Sequence, residues 1–194
     1  MTCRCDVADP AAVTSAVGYV MERFGRIDAL IYCAGTNITR RSWEQLSIDD
    51  YHLVLATNLD DAVHCIHAVL PAMRRQGAGT IVVINSEAGR AATAKSGTAC
   101  GASKVGFAGV VQSVNAEERA RGIRARSIFP GDVDTLLLRI RPNPPSAEAR
   151  AKMLQPDDVA ACVWLALASR RRRGTRRPSA LTPVSLVRSL SCNR

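Results

Sequence analysis

No apolar run in this chain reaches the ~20 residues that a membrane-spanning helix needs; the longest uncharged one, Val159 to Ala168, stops well short of it. No acid follows residue 169, and no aromatic follows Trp164. The N-terminus carries Arg4 and Asp6 where a secretory signal would place an apolar core. These absences argue against a membrane span and a secreted product, and they leave the basic C-terminal stretch nothing on which to stack a nucleic-acid base. The seven cysteines, at positions 3, 5, 33, 65, 100, 162 and 192, are scattered and mostly in apolar context. A reducing, cytoplasmic setting is expected.

What is present is a nearly neutral body with a charged end. The net charge of +9 is carried almost wholly by residues 170–194, which hold 8 Arg and no acid. The basic balance therefore says little about the partners of the body. At 194 residues the chain has the size of one domain with a sizeable core. Residues 1–169 are read as that domain, and 170–194 as a disordered, Arg-rich tail.

Along the body, strand-like and helix-like segments alternate. Thr2 to Val7 reads as a strand, and Asp9-Pro10 as a cap with proline at the first helical position of a helix that stops at Gly25. Asp28 to Tyr32 is a second strand; Ser47 and Asp50 open a helix through Leu55, and another is expected from about Asn58 to Arg75. Thr80 to Ile84 is apolar and β-branched, as a strand buried on both faces would be. A long helix follows from Cys100 to Arg121, then a strand from Arg124 to Phe129. After a Pro-rich stretch, helices are expected near Glu148 to Met153 and from Pro156 to Ala168. Strands alternating with helices argue an α/β fold with a parallel sheet.

Four motifs stand in a telling order. They are Asn58 in Thr57-Asn58-Leu59, Ser86 in Ser86-Glu87-Ala88-Gly89, the helix start Cys100-Gly101-Ala102-Ser103-Lys104, and the turn Pro130-Gly131 before Asp132. With Ala34-Gly35 after the second strand, they resemble the short-chain dehydrogenase/reductase family over roughly residues 2–168. The resemblance implies a Rossmann-like, doubly wound parallel sheet lacking its first βαβ unit, because Thr2 to Val7 matches the family's third strand. No Gly-rich turn that could cradle a diphosphate is found in the chain.

The family interconverts an alcohol and a ketone or aldehyde with NAD or NADP, so the resemblance implies that chemistry here. Its catalytic set carries over to Asn58, Ser86, position 100 and Lys104, with Cys100 where the family has tyrosine. A lysine at i+4 shares the helix face of residue 100, where it can lower the pKa of the proton donor and hydrogen-bond the nicotinamide ribose. Ser86 would hold the substrate oxygen, and Asn58 would help order a proton-relaying water. By the same resemblance, Asp6 and Val7 would face the adenine, and Cys33, Ala34 and Gly35 would lie under its ribose. Pro130, Gly131, Val133 and Thr135 would line the carboxamide.

A thiol is acidic enough for the task but short. Its sulfur lies roughly 3–4 Å nearer its Cα than a tyrosine hydroxyl does, more than a hydrogen-bond length. Weak turnover is expected, and an inactive relative that acts through oligomerisation is the alternative. The family commonly oligomerises through the helices that correspond here to 58–75 and 100–121.

The family sheet places two strands between its third and fourth, so one edge of Asp28 to Tyr32 is expected to be open. One resolution is for the first strand to pair directly beside Ala29 to Tyr32. Nothing after Ala168 clearly supplies a final strand; Val184 to Val187 is a candidate. His64 and His67 share a helix face, yet no ligand set completes them, and no metal is expected. Neither a membrane nor nucleic acid is an expected partner.

Overall fold

The computed structural model describes residues 2–169 and 185–187. Its first half runs β1 (Thr2–Arg4), α1 (Pro10–Phe24), β2 (Ala29–Tyr32), α2 (Ile48–Leu55) and α3 (Asp61–Gln76). The second half runs β3 (Gly79–Ile84), α4 (Thr98–Glu118), β4 (Ile123–Ile128), α5 (Ala147–Arg150), α6 (Pro156–Ala168) and β5 (Ser185–Val187). Strands β2, β3 and β4 form a parallel sheet in that order, and β1 pairs in parallel with β5. The fold is the α/β parallel arrangement that the alternation of elements implies, and it is Rossmann-like, as the resemblance implies.

Local chemistry sets the element ends. Asp9 caps α1 through its carboxylate, which accepts from the Ala11 N–H at 2.8 Å, and Gly25 ends the helix in the left-handed region at φ 71°. Ser47 caps α2 by accepting from the Asp50 N–H at 3.1 Å. In β3, Ile81, Val82 and Val83 are fully buried. Each such side chain contributes about 1.5–3 kcal/mol of burial, which makes β3 the spine of the sheet. Arg124 on β4 donates to Thr80 Oγ1 and to the carbonyls of Leu167 and Ser169, so a cation closes the negative end of α6.

The structure corrects several expectations. β1 ends at Arg4 instead of Val7, because Cys5 and Val7 leave the strand to fill the core with Val13 and Ala16 of α1 and several residues of α3. Consequently β1 does not ladder onto β2; its partner is β5, with Thr2 opposite Ser185. No strand pairs with the other edge of β2 among the described residues, and Ile31 is 44% exposed there. The Val184 to Val187 candidate does supply a strand, beside β1 and not beside β4. The rest of the expected tail lies outside the described residues. α5 is confined to Ala147–Arg150, with the turn to Met153 beyond it.

The helix expected from Asn58 is part of a longer run. A π-helical turn, Ala56–Asp60, joins α2 to α3, and both Thr57 and Asn58 are buried within it. The run Ile48–Gln76 is the one described helix long and apolar enough to cross a membrane by length and composition. Its buried side chains include Asn58, Asp61, Cys65 and Met73, and Cys65 and Met73 belong to the core around the sheet. That is the pattern of a core helix.

Candidate active site

The site lies at the C-terminal ends of β2, β3 and β4, where loops leave the sheet and α4 begins. α4 starts at Thr98 without a side-chain cap, since Gly97 takes φ 77° and ψ 165°, a conformation open to glycine alone. A Cβ at Gly97 would meet Arg41 Cβ at 2.6 Å and the Arg41 carbonyl oxygen at 2.9 Å. The start of α4 is thereby clamped against the loop after β2.

Lys104 is buried, and its Nζ donates to the Ile84 carbonyl at 3.2 Å. Burial lowers its pKa, and the fields of the Cys100 and Cys33 thiols, as thiolates, oppose that effect. Cys100, one turn earlier, is half-buried; burial pushes its thiol up, against the opposing fields of Lys104 and Arg41. At neutral pH the thiol therefore keeps its proton.

Asn58 is fully buried in its π turn. Its Nδ2 donates to the Thr36 carbonyl at 3.0 Å and to Ser103 Oγ at 3.1 Å, while its Oδ1 accepts from the Thr36 N–H at 2.8 Å. A π turn inserts one extra residue and so re-aims a side chain, a device frequent at functional sites. Here it directs Asn58 at α4 and at the Ala34-Gly35-Thr36 turn. A Cβ on Gly35 would stand 3.2 Å from Asn58 Oδ1 and 3.8 Å from Lys104 Nζ. Gly35, Asn58 and Lys104 are thus neighbours.

Ser86 is half-buried, and its Oγ accepts from the Ala88 N–H at 3.2 Å at the start of a short 3₁₀ turn. Asn85 links it to α4. The Asn85 Oδ1 accepts from the Ser86 N–H at 3.0 Å, and its Nδ2 donates to the Lys104 carbonyl at 3.1 Å. Gly89 must be bare, since a Cβ would come within 2.6 Å of Asn85 Oδ1 and 2.8 Å of the Lys104 carbonyl. Asn58, Ser86, Cys100 and Lys104 therefore belong to one cluster bound through Asn85 and Ser103.

The remaining candidates are more dispersed. Pro130 accepts from the Glu87 N–H at 3.0 Å, and a Cβ on Gly131 would lie 3.6 Å from Glu87 Oε2, so this turn flanks the Ser86 segment. Val133 forms an isolated bridge with Leu154, and Thr135 opens a 3₁₀ turn. Cys33 is exposed at the end of β2. Val7 is a core residue, 3% exposed, which leaves its backbone alone to face a ligand. Asp6 spends one oxygen accepting from the Ala8 N–H at 3.1 Å.

Sequence reasoning missed four contributors. Asn85 and Ser103 are the ties just described; Lys95 bridges Glu87 and Asp132, at 2.9 Å each, across the mouth of the site. Arg41 is the fourth. A polar residue at the end of an apolar strand, as Asn85 is, was the available signal.

The short chain dehydrogenase family model matches residues 1–143. The chain belongs to the short-chain dehydrogenase family. It is 37% identical to D-threitol dehydrogenase of Mycolicibacterium smegmatis over 169 residues, covering 84% of this chain and 64% of the relative. To the short-chain reductase protein NovJ of Streptomyces niveus it is 38% identical over 131 residues, covering 68% and 49%. The chain thus spans about half to two thirds of the length of the curated relatives it matches. Among solved structures it is similar to gox2181, with a TM-score of 0.75 and 30% identity over 84% of this chain and 66% of that one. Levodione reductase gives a TM-score of 0.77 and 26% identity, covering 84% and 68%. The relatives it matches are named as dehydrogenases and reductases.

Proposed function

We propose that this chain is built as an NAD(P)-dependent oxidoreductase that interconverts an alcohol and a ketone or aldehyde, and that turns over weakly because Cys100 stands where a longer proton donor is needed. One observation carries the reading: a desolvated lysine sits one turn past position 100, beside bare Gly35 and the buried Asn58.

The nicotinamide half of the cofactor fits the residues present. Lys104 would hold the ribose, the Pro130 to Thr135 segment the carboxamide, and the Gly35 position leaves the backbone open to close approach. Cys33, Ala34, Asp6 and the Val7 backbone would serve the adenosine half. The diphosphate half fits poorly, because no strand-to-helix turn among the described residues is glycine-rich. When bound, the cofactor accepts or supplies a hydride.

The chain's own residues manage the proton. The Cys100 thiol is the acid nearest the helix start, and Lys104 biases it from one turn away. Ser86, whose backbone Asn85 ties to the Lys104 turn of α4, would supply the oxygen that orients the substrate oxygen. Asn58 is pinned by three hydrogen bonds and keeps the Lys104 side of the pocket polar. The missing length at Cys100 has to be filled by a water or a displaced substrate, which slows proton transfer.

Calorimetric titration of the purified chain with NADH and NADPH tests this. Micromolar binding supports the reading, with Cys100→Tyr expected to raise alcohol oxidation. A folded chain that binds neither cofactor favours the second reading, an inactive relative acting through oligomerisation. Cys100 itself and the exposed Val63 on α3 and Val105 on α4 support that alternative. The helices concerned are Asp61–Gln76 and Thr98–Glu118, slightly displaced from the expected 58–75 and 100–121.

A further inference from the structure

Beside the Cys100 cluster lies a cavity of about 440 Å³, lined among others by Arg41, Ser42, Lys95, Arg141 and Asn143. Three of its lining residues are cations. Lys95 is matched by Glu87 and Asp132, and Arg141 by Asp132 at 2.5 Å. Arg41 differs. It is 6% exposed, and no carboxylate ion-pairs with it among the described residues. Its Nη1 donates to the Lys95 carbonyl at 3.1 Å and its Nη2 to the Ile140 carbonyl at 2.8 Å, both neutral acceptors, while Nε has no acceptor.

Burying a guanidinium without a counter-ion is expensive, and such a charge is ordinarily paired. The two carbonyls fix the orientation of Arg41 but leave its charge uncancelled. With the other two cations matched by two acids, the cavity carries one net positive charge. It also adjoins the reacting position, since Arg41 packs over Gly97 at the start of α4 and its field reaches Cys100.

We propose that Arg41 anchors a carboxylate of the substrate, so that this site takes oxo acids or hydroxy acids whose carbonyl or carbinol carbon lies between Arg41 and the Cys100 cluster. One net charge suits a monoanionic carboxylate better than a phosphate dianion. A planar guanidinium fixed by two loops keeps one further N–H on each of Nη1 and Nη2, the donor pair that a carboxylate would take. Lys95 and Arg141, held by Asp132, form the polar rim. The inference rests on the oxidoreductase reading for what happens at the carbonyl, but the binding step stands independently of it.

The probes are levulinate, which has a ketone and a carboxylate, and its methyl ester, which has the ketone alone. Calorimetric titration of the full chain at low salt is expected to show levulinate binding at least tenfold more tightly than the ester. In Arg41→Gln the preference falls to within twofold, and Arg41→Lys keeps part of it. Equal affinity for acid and ester, no binding of either at millimolar concentration, or an undiminished preference in Arg41→Gln overturns the proposal. The wild-type comparison decides alone if Arg41→Gln fails to fold, because Arg41 braces two loops. NADH titration of the same preparation separates the two readings. Acid preference without NADH binding leaves the anchor standing and removes the oxidoreductase; NADH binding without acid preference does the reverse.

Discussion

Cys100 offers the most direct single-residue test. Its backbone place on α4 is set by Gly97 and its electrostatic partner Lys104 is already in position, so under the proposed function only reach separates Cys100 from a longer proton donor. Under the proposed function, Cys100→Tyr is expected to raise NAD(P)-linked alcohol oxidation at least tenfold, toward the ~10²–10⁴ that a positioned acid/base supplies. A rate assay on the two proteins at equal cofactor saturation checks this, and an unchanged rate counts against it. Glu118 gives a second residue-scale prediction. Its buried carboxylate is held down to about 2, first by the hydrogen bond from Arg74 and then by Arg121. Because the folded value lies below the ~4.3 of an unfolded glutamate, its contribution is complete above roughly pH 5 and is lost as pH falls through about 2. Glu118→Gln is expected to destabilise by about 1–3 kcal/mol at pH 7, toward the lower figure because both arginines are partly exposed. Urea denaturation at pH 7 and again near pH 2 should show that difference shrinking. At this scale, the sequence order Asn58, Ser86, Lys104 was readable. Arg41 and Ser103 were not, since their importance comes from partners far away in the chain, and Asn85 carried only the mark of a polar residue ending an apolar strand.

At the scale of elements, capping chemistry made most helix ends legible, and the exceptions have local causes. The α1 boundaries follow from Asp9, Pro10 and Gly25. The π turn at Ala56–Asp60 carries no comparable mark, because it arises from Asn58 bonding across to Thr36 and Ser103, contacts that no local pattern announces. Asn58→Ala removes the partner of the half-buried Thr36 N–H and carbonyl and of the buried Ser103 hydroxyl, at about 1–3 kcal/mol in all. Thermal unfolding is expected to shift several degrees downward; a variant as stable as the parent would mean that water replaces the amide. Gly97 has a harsher prediction. Any side chain there meets both a conformation closed to L-residues and Arg41 Cβ at 2.6 Å. Gly97→Ala should lose more than ~2 kcal/mol by denaturant unfolding, with a neutral result showing that the loop after β2 yields freely.

For the whole molecule, the parallel α/β arrangement was legible because β3 is an uninterrupted apolar run, and such a run fits a strand covered on both faces. The strand partners were less so. β1 pairing with β5 depends on where Cys5 and Val7 find their burial, which is a property of the α1 and α3 packing and not of the strand sequence. This organisation makes the sheet unequal in stability. β3 has a hydrogen-bonded neighbour on each side and three fully buried residues, while β1 is a three-residue strand joined, among the described residues, to β5 alone. Local opening draws on few buried contacts, so exchange rates should follow burial. Hydrogen exchange is expected to be slowest at Ile81 to Ile84, intermediate in β2 at its open edge, and fastest in Thr2 to Arg4. Protection of β1 equal to that of β3 would mean that the two sheets open as one unit, with the core residues Cys5 and Val7 coupling them more strongly than the absence of a connecting ladder implies.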